Sequence, residues 1–425
     1  MLKIARTGSS FHIFDTTNGS FFSINQTSWE LIKAVKKHGR DRAVSKIAKL
    51  YSISEERAKK DINYIIKQIT SSELNVDDIP LTVPKTKYAP RSVEFDITSK
   101  CNSRCIYCLA SNRMKDPTEL STQKIIDVIH ELNDIGTWSI TLSGGEPTLR
   151  PDLFDILEHI EKLELGMSVF TNGINIDEQM AKKFSKFKHI FVQISLDSSN
   201  PVHHDQQRGV NGAFEKTLQG IKNLLKYNIF VEIATIVTPL NVGDIDDLVS
   251  FLHDLNIKSI RISPVSLLGR ACDDKQKMIL SSGQLKKLGE KIAKLNKKYE
   301  GSMIISKSPH MVTFSGNASS NEPLSRCGAG KNNLYISPNG LVYPCMLLAF
   351  PEFVLGDIKK ERVSDIWKKS PKIRKFRYLT TDKFRKCGTC KFKNLCNGGC
   401  RGTAYIATKS LTEPDPVFSS YFGCQ

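Results

Sequence analysis

S-V-E-F-D-I-T-S-K-C-N-S-R-C-I-Y-C, residues 92–108, is the stretch on which the fold turns. Its first half reads as a strand. Its second half puts Cys101, Cys105 and Cys108 on the following loop, with three and then two residues between them. Five more strand-like runs come after it: W-S-I-T-L, M-S-V-F-T, I-F-V-Q-I-S-L, F-V-E-I-A-T-I-V and S-I-R-I-S. Amphipathic helical patterns near 121–134, 151–163, 177–186, 212–227 and 243–255 separate them. This alternation predicts an α/β fold with a parallel sheet wrapped by helices, and six units suggest a partial (β/α)6 barrel. Catalytic groups of barrels sit at the C-terminal ends of strands, where the cysteine triplet falls.

The chain has 425 residues, 40% hydrophobic and 25% charged, a globular balance with room for two or three domains. The start M-L-K-I-A-R-T-G-S-S lacks the apolar core of a signal peptide, and no window runs to eighteen apolar residues. A cytoplasmic protein without a membrane partner is therefore expected. There the eleven cysteines stay reduced, and clustered ones read as metal ligands rather than disulfides. A formal charge of +17 fits an acidic partner or simply a basic solvated surface.

Residues 1–75 form a first unit, with strand patterns around K-I-A-R, F-H-I-F-D and S-F-F-S-I-N and a break at T-T-N-G, followed by three helices. Asn25 or Thr27 can cap the first helix. Ser54 opens the third, whose Ile62, Ile65, Ile66 and Ile69 share one side. Strands and then three helices resemble a winged helix. Residues 76–91, with three prolines between 79 and 91, read as a linker to the barrel at 92–310. Residues 311–425 are turn-rich, hold seven cysteines, and look too poor in long apolar elements to fold without a staple.

Three thiolates leave a tetrahedral site incomplete, so a four-iron cluster held by the triplet has one iron free, whereas structural zinc needs a fourth ligand. The spacing C-x3-C-x-Tyr107-C, then S-G-G-E-P at 143–147, T-N-G at 171–173, S-L-D at 195–197 and H-D-Q-Q-R at 204–208 resembles the radical S-adenosylmethionine (SAM) enzymes. In that family SAM binds the open iron through its amino and carboxylate groups, and its cleavage yields a 5′-deoxyadenosyl radical that takes a hydrogen atom from the substrate. The resemblance places Tyr107, Ser143, Gly144, Gly145, Glu146, Asn172, Ser195, Asp197 and Arg208 around SAM. The glycines let backbone approach the ligand and Glu146 accepts from its amino group. Ser195 and Asp197 face the ribose. Arg208 pairs with the carboxylate or forms a structural salt bridge.

Cys327, Cys345, Cys387, Cys390, Cys396, Cys400 and Cys424 resemble the seven-cysteine SPASM extension of such enzymes, which holds two auxiliary [4Fe–4S] clusters. The resemblance gives Cys387, Cys390, Cys396 and Cys424 to one cluster and Cys327, Cys345 and Cys400 to the other, leaving the latter one ligand short. Zinc is the alternative, but seven cysteines do not divide into four-cysteine sites and no histidine follows residue 327. Cys272 is read as a buried free thiol rather than the missing ligand.

The N-terminal unit is similar to leader-peptide recognition domains, which take a peptide as an added strand. Its 13 Lys and Arg against 6 Asp and Glu in residues 1–70 suit an acidic leader. A DNA-binding winged helix would also be basic, but the fused radical enzyme favours a peptide over nucleic acid. The whole resembles maturases of ribosomally made peptides such as sactipeptide and ranthipeptide synthases. This implies three [4Fe–4S] clusters, SAM, a precursor peptide with leader, and an electron donor such as flavodoxin or ferredoxin. Thioether formation is the expected reaction. Carbon–carbon crosslinking, oxidative decarboxylation and formylglycine formation are the alternatives, with a DNA-binding iron–sulfur regulator more remote.

Overall fold

The computed structural model describes residues 2–7, 10–15, 21–70, 75–79, 89–111, 116, 118–188, 190–307, 327–390 and 393–416. Cys424, the T-T-N-G break and residues 80–88 of the expected linker lie outside them. The first unit begins with β1 (Leu2–Thr7), β2 (Ser10–Asp15) and β3 (Phe21–Asn25), antiparallel in that order with Leu2 opposite Asp15 and Ser10 opposite Asn25. Helices α1 (Gln26–His38), α2 (Arg40–Tyr51) and α3 (Glu55–Thr70) follow. The Ser54 hydroxyl accepts the Arg57 N–H at 3.2 Å and starts α3 where a capping residue was expected. Ile62, Ile65 and Ile69 are buried, and they close a core with Ile13, Ile24, Trp29 and Ile47.

The six expected barrel strands are β4 (Ser92–Thr98), β5 (Ser139–Gly144), β6 (Gly166–Thr171), β7 (Ile190–Ser195), β8 (Phe230–Val237) and β9 (Ser259–Pro264). They pair in parallel in sequence order. Between them run α4 (Thr122–Asp134), α5 (Leu153–Lys162), α6 (Glu178–Phe184), α7 (Pro201–Arg208), α8 (Ala213–Lys226) and α9 (Ile245–Asp254). A seventh parallel strand, β10 (Ile304–Lys307), follows the helix Ser282–Lys298 and pairs with β9. It is short, and Ile304 at its start is exposed, so its pattern is weak.

At the other edge the chain returns. β11 (Asn333–Ile336) pairs in parallel with β4, and β12 (Leu341–Tyr343) and β13 (Gly356–Asp357) extend the sheet antiparallel to ten strands. Leu334, Ile336, Val342, Ile366 and Trp367 share one core with Val93, Phe95 and Ile97 of β4. The first half of the cysteine-rich region thus rests on the barrel's own sheet and core, apolar support that its turn-rich sequence did not lead one to expect. A buried bond ties the junction: the Tyr335 hydroxyl donates to Asp96 Oδ2 at 2.5 Å.

Because that bond has a charged acceptor, Tyr335→Phe is expected to lower unfolding stability by about 1.5–3 kcal/mol. A shift in the urea midpoint measures it, and an unchanged midpoint would show that the hydroxyl contributes nothing to the junction.

Candidate active site

The loop after β4 buries Tyr107 in a small cluster with Ala271 and Met278, and it is anchored further through its backbone. On one side Gly145 N–H donates to Thr98 O at 2.8 Å and Glu146 N–H to Lys100 O at 2.7 Å. A β-carbon on Gly144 would stand 2.3 Å from Thr98 O, and one on Gly145 would stand 2.1 Å from Lys100 O. The glycines are therefore required by the cysteine loop itself, where the sequence reading had them making room for a ligand. On the other side Arg104 N–H donates to Arg208 O at 2.9 Å and Ile106 N–H to Gln207 O at 3.0 Å, seating the loop on the last turn of α7. From behind, Glu119 Oε1 accepts from the Thr98 hydroxyl, the Ser99 N–H and the Ser99 hydroxyl at 2.7, 2.8 and 3.0 Å. Arg150 bonds Ile97 O at 2.7 Å and pairs with Asp152 at 2.8 Å.

Cys101, Cys105, Cys108, Tyr107, Ser143, Gly144, Gly145, Glu146, Asn172, Ser195 and Arg208 all line one cavity of about 430 Å³, a size that suits a small cofactor. Burial pushes the Cys101 thiol up to about 12, and the nearby Cys105, Glu146 and Cys108 add to it. Glu146 is fully buried. Its Oε1 accepts from the Thr148 and Thr171 hydroxyls, both at 2.6 Å, and from Thr148 N–H at 3.1 Å, while Oε2 accepts from Asn172 N–H at 2.8 Å. Burial raises its pKa against the pull of these donors, so a carboxylate there gains from one more donor at Oε2. The Asn172 amide donates to Asn102 Oδ1 at 2.6 Å and Ser103 Oγ at 3.2 Å, tying the T-N-G turn to the cysteine loop.

Asp197 does not face this cavity, which corrects its expected place at the ribose. Its carboxylate is fully buried, accepting the Tyr107 hydroxyl (2.5 Å) and Ile236 N–H (2.9 Å) and pairing with Arg208 Nε at 3.1 Å. Of the two roles open to Arg208, the structure shows the salt bridge. Its other end reaches Cys105 Sγ at 3.6 Å from Nη1, and its guanidinium lies 5.6 Å from the Tyr107 ring. Burial, which lowers its pKa, is outweighed by Asp197, Tyr107 and Cys105.

Cys272 is exposed, a correction to its reading as buried. It ends the turn Gly269–Cys272, whose Arg270 N–H donates to Cys108 O at 3.0 Å, and its thiol donates to Leu267 O at 3.2 Å. Cys327, Cys345 and Cys400 gather elsewhere. Burial raises the pKa of each, and Cys345 is raised further by Cys327 and Cys400. Nearby backbone N–H groups act against that rise: Ala329 and Arg401 at Cys327, Leu347 and Leu348 at Cys345, Gly402 and Thr403 at Cys400. Several of these donors are the first amides of the helix Arg401–Thr408, whose positive end favours thiolate. Cys387 is also raised, by burial and then against Arg401 by the neighbouring Cys390, and Cys387 and Cys396 are buried.

Residues 95–252 match the model of the radical SAM superfamily, and residues 327–393 match that of the SPASM iron–sulfur cluster-binding domain. Mycofactocin maturase MftC of Mycobacterium ulcerans is 30% identical over 338 residues, which span 79% of this chain and 89% of that protein. The chain belongs to the radical SAM superfamily. An AdoMet-dependent heme synthase of Methanosarcina barkeri is 28% identical over 342 residues, 77% of this chain and 96% of that one. Streptococcus suis SuiB bound to S-adenosylmethionine has the same fold, with a TM-score of 0.72 over 98% of both chains at 19% identity.

This radical SAM enzyme takes SAM and [4Fe–4S] clusters as cofactors, and the residues present fit them. A cubane binds one cysteine per iron, so its thiolates ring a space; among the described residues no three candidate ligands converge closely enough to share a single ion. Buried thiols that repel one another as anions are stabilised by bound iron and by amides aimed at sulfur. Sequence reasoning missed Glu119, Arg150 and Asn102, whose work is to hold the loop. Asn102, inside the cysteine motif, and Arg150, three residues beyond S-G-G-E-P, stood close enough to a recognised motif to be noticed; Glu119 did not.

Gly145→Ala is expected to displace the cysteine loop and to lower iron and sulfide per chain by the content of one cluster, about four irons, relative to the parent. A fully loaded variant would show that the close approach is dispensable. His204 supplies a pH effect. It is fully buried, its Nδ1 accepts the Asp197 N–H at 3.2 Å, and burial followed by Arg208 lowers its pKa to about 3. The unfolded chain takes up a proton below about pH 6.5 that the folded one does not, so stability falls as pH drops from there toward 3. The slope approaches about 1.4 kcal/mol per pH unit. His204→Gln should flatten the apparent melting temperature between pH 6.5 and 5, and an unaltered slope would contradict this.

Proposed function

We propose that this radical SAM enzyme matures a ribosomally made precursor peptide in the cytosol, joining the sulfur of a peptide cysteine to a carbon of another residue. The observation that carries the reading is the position of Cys345. The next two residues, Met346 and Leu347, line the cavity that holds the cysteine triplet, so the segment that carries Cys345 reaches that cavity. In this reading Cys101, Cys105 and Cys108 hold one cluster, and Cys387, Cys390, Cys396 and Cys424 hold another. Cys327, Cys345 and Cys400 give the third cluster three ligands and leave its fourth place for a substrate thiolate.

When bound and reduced, the triplet's cluster with SAM supplies the 5′-deoxyadenosyl radical that abstracts a hydrogen atom from the peptide. The protein's part is placement. Glu146 Oε2 accepts from the SAM amino group; Ser143, Gly144 and Gly145 present backbone beside it; Ser195 meets the ribose. Asn172, Tyr107 and Arg208 hold the loop in register. An electron donor such as flavodoxin or ferredoxin supplies the reducing electron.

Residues 1–75 take the leader. The three-stranded sheet ends in β1 and β3, edges that accept an added strand, and α3 exposes Arg57, Lys59 and Lys60 for acidic side chains. SuiB, whose structure is matched over 98% of this chain, has also been solved with its precursor peptide SuiA, and the relative MftC is named a maturase. Among the described residues no helix is long and apolar enough to cross a membrane.

Mass spectrometry of a candidate leader-containing peptide after anaerobic incubation with SAM and reductant tests the chemistry. Loss of two hydrogens together with loss of an alkylatable cysteine is expected. Loss of two hydrogens with the cysteine still free means carbon–carbon closure, and loss of a carboxyl group means decarboxylation; either result rejects the thioether. Deletion of residues 1–75 should abolish peptide affinity while SAM binding persists, and undiminished affinity would refute the leader assignment.

A further inference from the structure

The Arg401 side chain has been given no role so far, yet it is one of the most deeply buried charged side chains, 2% exposed. Its Nη1 donates to Leu411 O at 3.0 Å and Glu413 O at 2.7 Å, and its guanidinium lies 4.3 Å from the Phe384 ring. Those contacts occupy one end of the fork. Nε and Nη2 are buried without a hydrogen-bond partner among the described residues. Three N–H donors of a cation left unpaired in a dry interior cost more than the packing returns, unless an acceptor occupies the space they face.

The surroundings indicate which acceptor. The titratable groups that act on the guanidinium through their charge when ionised are Cys327, Asp415, Cys387 and Cys400. Cys327 and Cys400 are assigned to one auxiliary group and Cys387 to the other, so the guanidinium is within electrostatic reach of both. Asp415 is engaged with the Cys400 N–H at 2.9 Å. Sulfur, as cysteine thiolate or inorganic sulfide, accepts N–H donors, and a cubane with its thiolates is an anion that gains further negative charge on reduction. A fixed cation beside it favours the reduced form.

We propose that Arg401 is a positioning and charge-balancing residue shared by the two auxiliary cysteine groups, with Nε and Nη2 donating to cluster sulfur and its charge raising the reduction potential of both. This rests on the assignment of those cysteines to iron–sulfur clusters.

The test uses the full chain, reconstituted anaerobically, with Cys101, Cys105 and Cys108 changed to Ala so that only auxiliary clusters contribute. Iron and sulfide per chain and EPR-monitored redox titrations are compared for this parent and for added Arg401→Met, Arg401→Gln and Arg401→Lys. In the neutral variants both midpoint potentials should fall, with at least a tenfold drop in the reduced-to-oxidised ratio at fixed potential, about 59 mV for one electron. Arg401→Lys should stay closer to the parent. Neutral variants that fail to load, beside a Lys variant that loads fully, would equally support the need for charge. Unmoved potentials in a loaded neutral variant, a shift confined to one cluster, or loss of iron from the Lys variant as well would overturn the proposal. A parent without iron would instead overturn the cysteine assignment, and the role of Arg401 with it.

Discussion

Backbone meets backbone where the loop of Cys101, Cys105 and Cys108 crosses the turn after β5, and the geometry of the cavity is set from that contact. Two amide-to-carbonyl bonds, from Gly145 to Thr98 and from Glu146 to Lys100, close a gap too narrow for a β-carbon. A loop that must offer three thiols to one face cannot also anchor itself with a large apolar side chain on that face. It borrows rigidity instead, from β5, from the carbonyls ending α7 and from the half-buried Glu119 behind β4. Motifs some forty and a hundred residues downstream of the cysteines thereby act on them directly.

Much of this was legible in the chain. Central strands such as I-F-V-Q-I-S-L advertise themselves because burial on both faces demands a continuous apolar run. The triplet, the glycine pair and the T-N-G turn are local and keep their spacing, so their convergence followed from the barrel. What was hidden depends on the partner opposite. Asp197 sits at a strand end as a ribose contact would, and only the positions of Tyr107, Arg208 and Ile236 turn it inward. Cys272 was placed inside because cysteine usually is, whereas its turn follows the surface over the cysteine loop. β10 and β11 have four residues each, too few to show a period.

The charge of the chain divides between inside and outside. Interior arginines are spoken for: Arg208 by Asp197, Arg150 by Asp152 and backbone carbonyls, Arg401 in part by Leu411 and Glu413. Each braces a segment that carries cysteines or leads to them, and planar guanidinium with several fixed donors suits that better than lysine's single ammonium. The surplus behind the net +17 lies elsewhere, much of it on exposed lysines such as those of α3. Electrostatics thus serves rigidity at the centre and attraction at the periphery.

The pairing of β11 with β4 also governs how the protein is made. Tyr335 and Asp96 are 239 residues apart in sequence, so β4 has only one neighbour in the sheet until most of the chain has left the ribosome. At about 5–20 residues per second that interval is roughly 12–48 s, during which an unpaired edge and three nearby thiols are open to wrong partners. β4 therefore gains its second neighbour only late in synthesis. Insertion of iron and sulfide into the triplet faces a competition with aggregation and oxidation during that interval.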